Sequence, residues 1–156
     1  MAFAEDLLEQ AYHLARRERT KPRQASLRRA ISTAYYALFH LLIRDATGNW
    51  RRNIQRARLA RAFEHGRMKK ASEGFIHAKF QRQDAQVVAN LKTVARTFVR
   101  LQDFRHIADY DDSRKWSRTE TLSHVDEAAA AFKIWHVIQN EAIAQDYLLS
   151  LLTGRS

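Results

Sequence analysis

A chain of 156 residues with 27 Lys and Arg against 17 Asp and Glu carries a net charge of +10 and has the length of one ordinary domain, residues 1–156. It has no cysteine, which excludes a disulfide framework, thiolate metal ligation and a Cys nucleophile. Four glycines, one proline and 46% hydrophobic residues fit a helical chain around one core and leave no Gly-rich nucleotide loop.

The first stretch, MAFAEDLLEQAYHLARR, is acidic and then amphipathic, not basic followed by an apolar run, so no signal peptide is expected. No segment has the length and apolarity of a transmembrane helix, and the absence of cysteine fits a reducing cytoplasm. Charge is unevenly placed. Residues 1–82 hold 18 Lys and Arg against 7 acids, a balance of +11, and residues 83–156 hold 9 against 10, a balance of −1. A basic half suggests an anionic partner, with RNA, DNA and an acidic protein all eligible; a merely solvated basic surface is the alternative.

In chain order, Phe3, Leu7, Leu8, Ala11, Leu14 and Ala15 recur at helical spacing and predict a first helix over 3–18, ended near Thr20, Lys21 and Pro22. From Gln24 to about Ala46 the apolar positions Leu27, Ala30, Ile31, Ala34, Tyr35, Leu38, Leu41 and Leu42 predict a longer second helix, ended by Gly48 and Asn49. Residues 51–72 carry eight Lys and Arg on a thin apolar stripe and predict one basic third helix. The connection EGFIHAKFQRQ is expected to be tacked to the body by Phe75, Ile76 and Phe80. A fourth helix is predicted from Asp84 through at least Ile107. A polar segment, YDDSRKWSR, follows, and Ser117 or Thr119 can cap a last helix running to about Leu152 along Leu122, Val125, Ala129, Phe132, Trp135, Ile138, Ala142 and Leu149. Short polar links between long helices describe an all-α, antiparallel up-and-down bundle of four to five helices.

Several chemistries lack their residues. There is no P-loop and no dinucleotide fingerprint, and the seven histidines include no pair four apart, so neither a metal nor another cofactor is expected. A cluster remains on the fourth helix and the turn after it: Arg100, Asp103, Arg105, His106, Asp109, Tyr110, Asp111 and Asp112. Val87, Leu91, Val94, Phe98, Leu101 and Ala108 keep the helical period, and Arg105 fills the one slot left between Leu101 and Ala108. A guanidinium in an apolar slot must find carboxylates, lie at a subunit interface, or line a cleft that receives an anion. A bridge to Asp109 or Asp112 satisfies the first. The last uses Arg105 with the titratable His106 and the phenol of Tyr110 to bind a phosphodiester and move protons around it, with the RNA 2′-hydroxyl as nucleophile and no metal.

LRRAISTAYYALFHLL (Leu27 to Leu42), FEHGRMKKASEGF (Phe63 to Phe75) and RHIADYDD (Arg105 to Asp112) resemble, in that order, the signature helix, the His-containing third helix and the Arg-x-x-Ala-Asp-Tyr-Asp element of a bacterial and archaeal branch of the HEPN domains. The likeness spans roughly residues 5–150. It implies a four- or five-helix bundle, a two-fold homodimer through the third and fourth helices and, in catalytic members, a metal-independent endoribonuclease site shared across the dimer, often in a toxin paired with a nucleotidyltransferase antitoxin. It also implies an RNA- or nucleotide-binding component of a toxin-antitoxin or defence system. The catalytic pattern is an Arg, commonly followed at once by Asn, Asp or His, and then a His after four to six intervening residues. Here Arg105 and His106 match its first two places, but Tyr110, Asp111 and Asp112 stand where the second His belongs, and the formal alternative, Arg100 with His106, starts from an arginine off the stripe.

The sequence therefore names Arg105, His106 and Tyr110 as candidate catalytic residues and Arg51, Arg52, Arg56, Arg58, Arg61 and Arg67 as candidate contacts to a nucleic-acid backbone. The other reading is a non-catalytic helical module pairing with a nucleotidyltransferase or another acidic protein. Tyr35, Tyr36 and Phe39 are expected in the core or a dimer contact, and His40 as a hydrogen-bonded, partly buried imidazole. Trp116, set among Arg114, Lys115 and Arg118, is a candidate stacking surface for a base.

Overall fold

A computed structural model describes residues 3–154. The described residues form seven helices and no strand: α1 Phe3–Ala15, α2 Gln24–Thr47, α3 Asn53–Ala60, α4 His65–His77, α5 Ala85–Tyr110, α6 Arg118–Ile138 and α7 Ala142–Thr153. None is long and apolar enough to cross a membrane.

Packing is organised by α2. Its stripe Leu27, Ala30, Ile31, Ala34, Tyr35, Leu38, Leu41 and Leu42 is fully buried, and Ala37, Phe39 and Ile43 extend burial round the helix. It accordingly packs on α1, α5, α6 and α7. Each such Leu or Ile contributes about 1.5–3 kcal/mol of transfer free energy, so this one helix anchors the core. From α5, Leu91, Val94, Phe98, Leu101 and Ala108 meet it as the period predicts. The connection after Glu73 is held as expected, with Phe75 buried and Ile76 and Phe80 packed against the core.

Two predicted helices are each a pair. The basic segment 51–72 breaks between Ala60 and His65, where Phe63 turns into the core and the Ala62 and Phe63 amides donate to Leu59 and Ala60. The last helix breaks at 139–141, and α7 restarts with a different face inward. Ile143, Ala144, Tyr147, Leu148 and Leu151 are buried, whereas Ala142 and Leu149 of the predicted stripe are exposed, Leu149 by 61%. Ser117, not Thr119, caps α6, accepting from the Glu120 amide.

The polar segment between α5 and α6 is pinned. The Gln24 side chain pairs with both backbone groups of Trp116, at 2.7 and 2.9 Å. Arg28 donates to the carbonyls of Ala108, in the last turn of α5, and Arg114, at 2.9 and 2.6 Å. Arg118 donates to the carbonyl of Ala15, the last residue of α1, and to that of Glu18 beyond it. Cations on helix-terminal carbonyls satisfy groups that the helix itself leaves open.

Candidate functional site

Helical period puts the Arg105 side chain on the inner face of α5, and it is only 12% exposed there. Its guanidinium lies over the rings of Tyr35 and Tyr36 of α2, at 5.3 and 5.7 Å, an arrangement in which the π faces attract the charge. The nearest carboxylate, Asp109 one turn on, stands 3.6 Å away and also accepts from Ser32 at 3.4 Å. The ion pair is thus the predicted one to Asp109, not to Asp112. It does not complete the arginine: the buried Arg105 Nε has no hydrogen-bond partner.

Behind the guanidinium sits an imidazole that the sequence reading assigned no role. The Tyr35 hydroxyl lies 2.7 Å from His65 Nδ1, and the Phe39 ring stacks on His65 at 4.4 Å. Burial holds the His65 pKa below its ordinary range, and the charges of Arg105 and His40 push the same way. Burial raises the Tyr35 hydroxyl, with the Arg105 charge working against it. Tyr35 and Phe39 are core residues, as expected, and Tyr36 is half-buried. His40 packs against the rings of Phe3, Tyr36 and Phe39, and its pKa is lowered by burial.

In front of the guanidinium a cleft of about 440 Å³ opens between α4 and α5, lined by Lys69, Gln102, Asp103, Arg105, His106 and Ile107. Lys69 bridges to Asp103 at 2.7 Å, which raises the lysine pKa. Gln102 Oε1 is buried without a partner. The cleft therefore joins two cations and an exposed imidazole, and two of its lining residues, Gln102 and Arg105, each keep an unsatisfied buried polar atom. Tyr110, 69% exposed, lies beside His106 with ring centroids 4.9 Å apart, adjoining the cleft without lining it. Arg100 turns the other way, stacking on Phe104 at 5.5 Å and pairing with Glu127 at 3.2 Å, so it does not join His106.

The arginines expected on one helix are divided. Arg56 is occupied by the carbonyls of Trp50 and Arg51 and by the Asn53 side chain. Arg67, on α4, meets Glu64 and the Leu152 carbonyl. Arg51, Arg52, Arg58 and Arg61 are exposed. Trp116 is not a stacking surface. It is 3% exposed, packed on Phe104 and His124, and covered by Arg114 at 4.2 Å. Among the described residues no group of His, Asp and Glu is placed to hold a metal ion.

Compared with protein families, characterised proteins and solved structures, the chain matches none.

Proposed function

We propose that this chain is a HEPN-type RNA-binding protein that takes a phosphodiester in the cleft at Arg105. One observation carries the reading: a guanidinium that cannot lose its charge keeps a buried N–H unpaired at the edge of an open cleft, with its one carboxylate 3.6 Å away. A buried unsatisfied donor costs about 1–3 kcal/mol, more when charged, and a phosphate oxygen would relieve it with a charge-assisted bond. Lys69 supplies a second cation by exchanging Asp103 for phosphate. The chain's +10 charge draws a polyanion to the surface.

Binding is better supported than cleavage. Transfer from a 2′-hydroxyl needs a base and an acid about the phosphate. Only His106 among the described imidazoles lines the cleft; His65 is held behind Arg105 by Tyr35 and Phe39. The second proton carrier must be Tyr110 or a second copy of His106 delivered by a two-fold dimer through this side, as the resemblance implies. The proposal is therefore an RNA-binding protein whose single protomer leaves RNA intact.

Fluorescence anisotropy of a labelled single-stranded RNA tests it. Arg105→Ala is expected to weaken binding at low salt at least about tenfold, and Lys69→Ala to weaken it less. Equal affinity for wild type and Arg105→Ala would overturn the reading. Cleavage by the monomer that disappears in His106→Ala at unchanged melting temperature would make the protein a ribonuclease.

A further inference from the structure

The C-terminal end of α2 carries a second surface that the phosphodiester cleft does not use. Helix α3 has eight residues and none of them is buried. A helix so short is marginal in water without tertiary packing, and α3 has little of it: only Leu59 and Ala60 pack on the core, both of them partly buried. Its Ile54 is 62% exposed, as are Trp50 just before it, by 50%, and Leu149 of α7, by 61%. Between α3 and α7 lies a concave groove of about 240 Å³ whose walls include Trp50, Leu59, Phe63, Leu148, Leu149 and Leu152. A second hollow of about 300 Å³ on the outer side of α3 shares Trp50 and Leu59 with it. The groove is held ready: Arg56 fixes the Trp50 and Arg51 carbonyls at 2.6 and 3.0 Å and so sets the loop that presents the indole.

The rim is basic. Arg58 lines the outer hollow, and exposed Arg51, Arg52 and Arg61 neighbour groove residues in sequence. We infer that this groove docks an acidic amphipathic helix of another protein, its apolar side chains entering between Trp50 and Leu149 and its carboxylates meeting Arg51, Arg52, Arg58 and Arg61. Charge decides against a second copy, because two arginine-rimmed faces repel. Shape decides against a bilayer and against stacked bases: the apolar surface is concave, which suits inserted side chains of an α-helix.

Trp50 makes the test direct, since Trp116 and Trp135 are buried and it is the exposed indole. The full chain is titrated with a designed helical peptide of about 16 residues, with Leu and Phe at i, i+4 and i+7 and Glu on the other faces, and with the same peptide carrying Lys for Glu. The acidic peptide is expected to shift Trp50 emission to the blue with affinity at least about tenfold above that of the lysine peptide. Leu149→Glu and Arg58→Glu, at surface positions, are each expected to lose about tenfold with helicity unchanged, and Arg105→Ala to lose nothing. The inference is wrong if the two peptides bind alike, if neither binds, or if Leu149→Glu binds as wild type. It is equally wrong if the same Trp50 shift arises more readily from an RNA oligomer, from phosphatidylglycerol vesicles, or from concentrating the protein alone.

Discussion

At the scale of single residues, the oddity legible in the sequence is an arginine in an apolar slot, and the structure keeps it there at 12% exposure. Its partners were not legible. Tyr35, Tyr36 and His65 stand some 40 to 70 positions away, and periodicity within α5 says nothing about what α2 and α4 place across from it. Removing one partner of an ion pair is destabilising when it strands a buried charge, but Asp109 is 30% exposed and stays hydrated without the guanidinium. Arg105→Met is therefore expected to melt at or above the wild-type temperature while RNA affinity falls; a loss of several kcal/mol by thermal melting would instead make the guanidinium architectural. The buried imidazoles set a pH dependence. Burial is the leading cause that lowers the pKa of His40, His65 and His124 below the ordinary 6.5, so below that pH the unfolded chain binds more protons than the folded one. Stability present above pH 6.5 is lost as pH falls through and below it. Urea midpoints should drop from pH 7 to pH 5, and less steeply in His65→Gln; a flat profile would contradict the burial of these rings.

At the scale of elements, α1 and α2 were readable because each carries an uninterrupted apolar period, and α5 because its period is broken only at Arg105. Neither missed break has a proline or glycine at the break itself, residues 61–64 and 139–141. The turn at 61–64 is made by burying Phe63, a tertiary event that 51–72 does not announce, and at 139–141 the α7 stripe starts again out of phase with that of α6. Trp116 was misread for a similar reason: its neighbours are polar, but Gln24 and Arg28 draw its loop against α2. Arg28→Ala, which abandons the Ala108 and Arg114 carbonyls, is expected to cost about 1–3 kcal/mol and loosen the 111–117 segment, measured by urea unfolding and proteolysis there. Since no α3 residue is fully buried and only Leu59 and Ala60 pack on the core, its amides should exchange far faster than those of the α2 core from Ala30 to Leu42. Equal protection in the isolated protein would mean that α3 needs no partner to be stable.

At the scale of the molecule, composition already indicated a helical chain with one core and an excess of positive charge. The charge did not say where it works, because two of the six arginines assigned to a nucleic-acid backbone are occupied within the chain and the cleft's second cation, Lys69, was not among them. Shape resolves what net charge cannot: a cleft on α4 and α5 that holds Lys69, Arg105 and His106, and a groove on α3 and α7 walled by Trp50, Leu59, Phe63 and Leu149, are separate surfaces suited to different ligands. The central claim is that Arg105 meets phosphate, and its side-chain Nε–H can be watched by ¹⁵N-correlated NMR while a single-stranded RNA is titrated in. The account predicts that this resonance shifts and becomes protected from exchange in step with binding, together with His106 and Lys69. An Arg105 signal that stays still while α3 arginines move would place RNA elsewhere and contradict the account.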